Sequence, residues 1–158
     1  MIKLKDSVYL ISSKNDGEEF WKSMGSFFAS KEVRKEFNGY PLNDSEHHLW
    51  FVKFDENKKV SSFLGTSWES KETIWITEIY TVPQHRKNKL STLLIDTLLE
   101  YIQDKQVSKI KVVVQAKSPL HRTFKKRKFK IDCMKGSYTY YSKEIKEVKE
   151  IKEIKEVK

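Results

Sequence analysis

The segment from Trp75 to Phe129 constrains this chain most. It reads WITEIYTV, then a basic loop PQHRKNKLS, then TLLIDTLLEYIQDKQ, then KIKVVV, then SPLHRTFKKRKF. A strand that runs through a basic turn into a helix, with a second strand returning beside the first, is a βαβ unit. Such a unit aims backbone N–H groups at an anion. In the helix, Leu90, Leu93, Leu94, Leu98, Tyr101 and Ile102 fall on one stripe. Lys109 to Gln115, with VVV at its centre, has the continuous apolar character of a buried strand.

The flanks supply more of the same kind of structure. Residues 8–12 predict a strand. Asp16 is the expected N-cap of a helix whose Phe20, Trp21, Met24, Phe27 and Phe28 form a core face. A short helix is expected over 31–37 and a loop over 38–44. Residues 49–54, 60–68 and 75–82 predict an antiparallel meander, which Pro83 ends because it has no N–H to pair. Pro119 suits a helix start, with the helix over 121–128, and 129–133 with 138–142 predict a closing hairpin. The class is α/β in the mixed, α+β sense, with a central sheet of about six to seven strands flanked by helices. Residues 1–142 form the expected domain. Residues 143–158 are a low-complexity Lys-Glu-Ile/Val tail. Its period of three makes the apolar positions drift by about 60° per repeat, so a regular coiled-coil seam is excluded and a solvated, partly helical tail is expected.

Composition narrows the function classes. No apolar run approaches the roughly 20 residues that a membrane helix needs. The N-terminus MIKLKDSVYLISSK has no sustained apolar stretch, so no signal peptide is expected. The single Cys133 forms no internal disulfide and no CxxC pair, and His47-His48 are isolated neighbours, so no zinc site is expected. These features fit a cytoplasmic protein. The net charge is +9, and Lys105 to Ile131 holds ten Lys or Arg and no Asp or Glu. That stretch is either a solvated face or the footprint of a polyanion, coenzyme A phosphates or nucleic acid.

The order of elements around Val82-Pro83 and Arg86 resembles the GNAT superfamily of acyl-CoA-dependent acyltransferases. The resemblance places the family's phosphate loop, Arg or Gln, two residues, Gly, one residue, Gly or Ala, on Arg86-Lys87-Asn88-Lys89-Leu90-Ser91. It implies that acetyl-CoA, or another acyl-CoA, lies between the strands ending at Val82 and Gln115. Val82, Arg86, Lys87, Asn88, Lys89, Leu90, Ser91 and Thr92 are then the cofactor-binding residues. Lys89 departs from the expected glycine: its ammonium either pairs with a phosphate or marks a site that no longer takes the cofactor. A second family signature, Tyr, three residues, Gly, Phe, falls on Phe124 to Phe129, with Phe124 for the Tyr and Lys128 for the Gly. The acid role of that Tyr is then empty or moved: His121, one helical turn earlier on the same side, is the candidate to take it, and a surface histidine is the other reading. Glu78 stands where the family often keeps a base for the amine, and is otherwise a solvent-facing acid. The expected reaction is acyl transfer to a primary amine, with no metal. The sequence Asn88-Lys89-Leu90-Ser91 is also similar to the loop of phage Mom-type DNA-modification proteins, which implies a nucleic-acid substrate. A non-catalytic binding module on the same scaffold is a third reading, from Phe124 and Lys89 together.

Overall fold

A computed structural model of the chain describes residues 1–145. Eight strands are present among the described residues: β1 (Ile2–Lys3), β2 (Val8–Ile11), β3 (His48–Phe54), β4 (Val60–Trp68), β5 (Thr73–Thr81), β6 (Lys109–Gln115), β7 (Lys130–Lys135) and β8 (Tyr138–Glu144). Five α-helices accompany them in the same residues: α1 (Ser13–Asp16), α2 (Glu18–Ala29), α3 (Lys31–Glu36), α4 (Leu90–Tyr101) and α5 (Leu120–Lys126). The hydrogen-bonded strand order is β1-β2-β3-β4-β5-β6-β8-β7. The mixed α+β class is as expected. The extra strand is β1, whose two residues pair with Tyr9 and Leu10 and are too short to leave a periodic signature.

The chain divides into two compact units, Met1–Ser67 with Glu78–Leu98, and Trp68–Thr77 with the chain from Leu99 onward. In the first, β2, β3 and β4 are antiparallel neighbours. Their core is aromatic: Phe20, Trp50, Phe63 and Tyr80 are buried, with Phe27, Phe28 and Phe37 packed against them. The helical spacing read in residues 20–28 is this core face, except for Trp21, which is 49% exposed. The cap differs from expectation. Ser12 caps α1 by accepting the Asn15 N–H at 3.0 Å, and Asp16 reaches back to accept the Ser12 N–H at 2.9 Å. Gly17, at φ +46°, then breaks the chain before α2. An aspartate four residues into a helix can satisfy the cap residue's own N–H instead of starting a new helix.

In the second unit, Thr73 to Ile76 run parallel to Lys109 to Val112, β6 pairs antiparallel with β8, and β7 closes the hairpin on β8. Phe124, fully buried, packs between Phe129 (centroids 5.0 Å apart) and Tyr141 (6.1 Å). β8 runs through Glu144, where the tail was expected from Lys143. The expectation for residues 146–158 lies outside the described residues.

Candidate active site

β5 alternates strictly. Ile74, Ile76, Glu78 and Tyr80 are buried, while the residues between them are half-buried or exposed. Glu78 therefore faces the interior at 9% exposure, and is not a solvent-facing acid. An acid on a buried face needs compensating interactions, and Glu78 is not without a partner. Its place is set by Gly65 on β4, which stands directly opposite Trp50 on β3. A Cβ on Gly65 would lie 2.6 Å from Glu78 Oε2 and 2.7 Å from Trp50 Cζ3. The missing side chain thus makes the room in which the carboxylate and the indole edge meet. A glycine inside a strand is the sequence signal of such close approach.

Val82 donates its N–H to Ser61 O at 2.9 Å, and Pro83–His85 then form one tight turn. Lys87 and Lys89 both lie at positive φ, +72° and +56°. The first intrahelical bond of α4 runs from the Leu93 N–H to the Lys89 carbonyl at 3.1 Å. The N–H groups of Leu90, Ser91 and Thr92 therefore open the helix without intrahelical partners. Lys89 keeps the left-handed backbone that the family's glycine would supply, although it carries a Cβ. The side chains of Lys87, Asn88 and Lys89 are exposed. Behind the loop, Ser62 donates to Tyr80 O at 2.8 Å and meets Thr81 Oγ1 at 2.9 Å, and Thr81 Oγ1 is 3.4 Å from Ser91 Oγ.

Arg86 is held differently from its neighbours. Its Nε donates to Thr81 O at 2.9 Å, its Nη2 pairs with Glu36 at the end of α3, and its guanidinium lies 5.6 Å from the centre of the Tyr80 ring. The Glu36 hydrogen bond raises the Arg86 pKa further above its usual value. Burial, and then the Glu36 charge, raise that of Tyr80. The resemblance assigns Arg86 to the phosphate loop, and its partner Glu36 lies fifty residues away in the chain, beyond any local pattern.

His121 belongs to the second unit. Its Nε2 is 2.7 Å from Gln115 O, and its Nδ1 is 2.7 Å from Tyr141 Oη. A carbonyl only accepts, so Nε2 carries a proton. Burial raises the Tyr141 pKa, so the phenol keeps its proton beside the imidazole. Both ring nitrogens are engaged by the protein's own groups. Phe124, at the position of the family's Tyr, lies at 0% exposure in the core. Among the described residues no three His, Cys, Asp or Glu are grouped to hold a metal. No described helix is long and apolar enough to cross a membrane.

A sequence model described as the acetyltransferase (GNAT) family matches residues 17–129. No curated protein matches the chain. Solved structures do. Tetrahymena GCN5 superposes with a TM-score of 0.66 at 15% identity, covering 87% of this chain and 95% of that one. The Campylobacter jejuni N-acetyltransferase PseH, solved with acetyl coenzyme A, gives 0.60 at 10% identity, covering 87% and 98%. The PaiA N-acetyltransferase of Thermoplasma acidophilum, solved with coenzyme A, gives 0.56 at 15% identity, covering 87% and 99%. At these identities the superpositions carry the fold, and the family match, over well more than half of the residues, carries the rest: the chain belongs to the acetyltransferase (GNAT) family.

Proposed function

We propose that this protein moves an acetyl or related acyl group from acyl-CoA to a primary amine. The observation that supports it most is the backbone at the head of α4. Two left-handed lysines turn the loop so that the first N–H groups of a 12-residue helix are presented beside exposed ammonium groups. That combination suits a pyrophosphate. Leu90, Ser91 and Thr92 would bind through N–H groups, and Lys87 and Lys89 through charge. Arg86, committed to Glu36, would brace the loop instead. Acyl-CoA, when bound, supplies the activated thioester. Glu78 is the base: its carboxylate takes the proton that the amine must lose as its nitrogen bonds to the acyl carbon, while the thioester carbon–sulfur bond breaks and coenzyme A departs as the thiolate. Amide formation needs positioning and a base and no metal.

The acceptor follows from the same chemistry as an uncharged primary amine at the moment of attack, on a small molecule, a peptide or a nucleobase. The nucleobase reading draws on Asn88-Lys89-Leu90-Ser91 and on the acid-free stretch 105–131. We place the reaction in the cytoplasm, where a free thiol such as Cys133 stays reduced.

Thermal denaturation with and without acetyl-CoA tests the reading. A ligand that binds only the folded state raises Tm. Lys89→Ala should shrink that rise, and Arg86→Ala should lower Tm while keeping most of it. If neither the parent nor Lys89→Gly responds to acetyl-CoA, the proposed function is wrong.

A further inference from the structure

The second unit has a sheet face that the acyltransfer chemistry does not use. Directly opposed residues of neighbouring strands share a face, and the registers lay this one out in rows. Trp75 on β5 is beside Lys111 on β6, and Lys111 is opposite Ser142 on β8. Val113 is opposite Tyr140, which is opposite Cys133 on β7. Gln115 is opposite Tyr138, which is opposite Lys135, and Lys109 begins the β6 row. Trp75, Tyr138 and Tyr140 are half-buried, and Val113 is 37% exposed. Lysines attend the rings: Lys111 Nζ is 5.0 Å from the centre of Trp75, and Lys135 Nζ is 5.5 Å from that of Tyr140. Two acids also border the face, Asp132, which accepts from Ser142 Oγ at 2.8 Å, and Glu144 opposite Lys109.

We propose that this open face of β5, β6 and β8 binds single-stranded nucleic acid, with bases on Trp75, Tyr138 and Tyr140 and phosphates on Lys109, Lys111 and Lys135. Half-exposed aromatic rings with lysines over and between them are what a sequence-tolerant stacking platform requires. A face three strands broad exceeds the single helix or two-stranded ribbon that a major groove admits, so unpaired bases are its fit. Charge decides against a second copy of the chain, because self-pairing would bring lysines toward lysines. The structure also divides the basic stretch. Lys109 and Lys111 lie on this face, while Arg122, Lys125 and Lys126 lie on α5. The proposal does not depend on the acyltransferase reading.

Fluorescence anisotropy of the full chain with labelled 12-nucleotide dT and U oligomers, at low and moderate salt, tests it against a duplex of equal length. Single strands should bind more tightly than duplex, with affinity falling steeply as salt rises. Tyr140→Leu, which keeps apolar bulk, and Trp75→Leu should each weaken binding roughly 10- to 100-fold. Lys109→Gln with Lys111→Gln should flatten the salt dependence. Lys125→Ala with Lys126→Ala on α5 should leave binding within about twofold, which distinguishes the face from a diffuse basic surface. Melting curves confirm that each variant folds. Equal or tighter duplex binding, an α5 variant as weak as Tyr140→Leu, no binding at low salt, or sedimentation showing a dimer that buries the face would each overturn the proposal.

Discussion

Gly65 and Lys89 invert the usual roles of their residue types. Gly65 has ordinary torsions, and what it lacks is volume: its neighbours Glu78 and Trp50 fill the space of a side chain. Lys89 stands at φ +56°, where glycine would relieve the backbone, and carries a long exposed side chain instead. Lys128 repeats the second case. It sits at φ +67° after α5, where the Phe129 N–H reaches back to Phe124 O at 3.1 Å in the manner of a glycine-terminated helix. A glycine can therefore be needed for space without any special torsion, and a special torsion can be held without glycine where the surrounding hydrogen bonds impose it.

The sharpest test of the volume argument acts on what that volume serves. Glu78→Gln keeps the shape and removes the base, and should lower kcat by about 10²- to 10⁴-fold while leaving the acetyl-CoA-induced Tm rise in place. An unchanged rate would make Glu78 a packing residue only. Gly65→Ala should follow, with overpacking of about 1–3 kcal/mol and a Tm lowered by several degrees. Activity should fall beyond the loss of folded protein, because the Glu78 carboxylate is displaced. A variant of parental stability would break the comparison on its first side.

Lys89→Gly is the intermediate case. It removes a left-handed side chain and should stabilise by about 1 kcal/mol, seen as a small rise in Tm without ligand. If the ammonium serves the cofactor, the acetyl-CoA-induced rise shrinks, and if it obstructs, the rise grows. Lys128→Gly should give a similar or smaller gain in Tm, measured in the same way, with no change in response to acetyl-CoA. Loss of stability in both variants would show that these backbones are not strained, and would break the comparison on its other side.

The sequence carried the strand–loop–helix–strand core because its periodicity is local and its loop is flanked by two clear patterns. The family and the position of the phosphate loop followed from that segment. Less could be read where contact partners are distant. That Glu78 faces inward depends on Gly65 and Trp50 from neighbouring strands. Arg86 is taken by Glu36 on a helix the loop does not reveal. His121 reads as an available imidazole until Gln115 and Tyr141 are placed on its two nitrogens. Phe124 was recognised as lacking an acidic proton, but its full burial depended on the hairpin that packs over it.

The three hydroxyls behind the loop have a direction. Ser62 has one proton and gives it to the Tyr80 carbonyl, so toward Thr81 it can only accept. Thr81 must then give its proton to Ser62 and offer Ser91 a lone pair. Ser91 is thereby the last member of a one-way chain, always a donor and never required as an acceptor, and its link to Thr81 is the longest at 3.4 Å. A buried serine on β4 thus fixes the polarity of a half-buried hydroxyl at the head of α4, which can swing its proton from Thr81 to an incoming anion without any other proton in the chain having to turn.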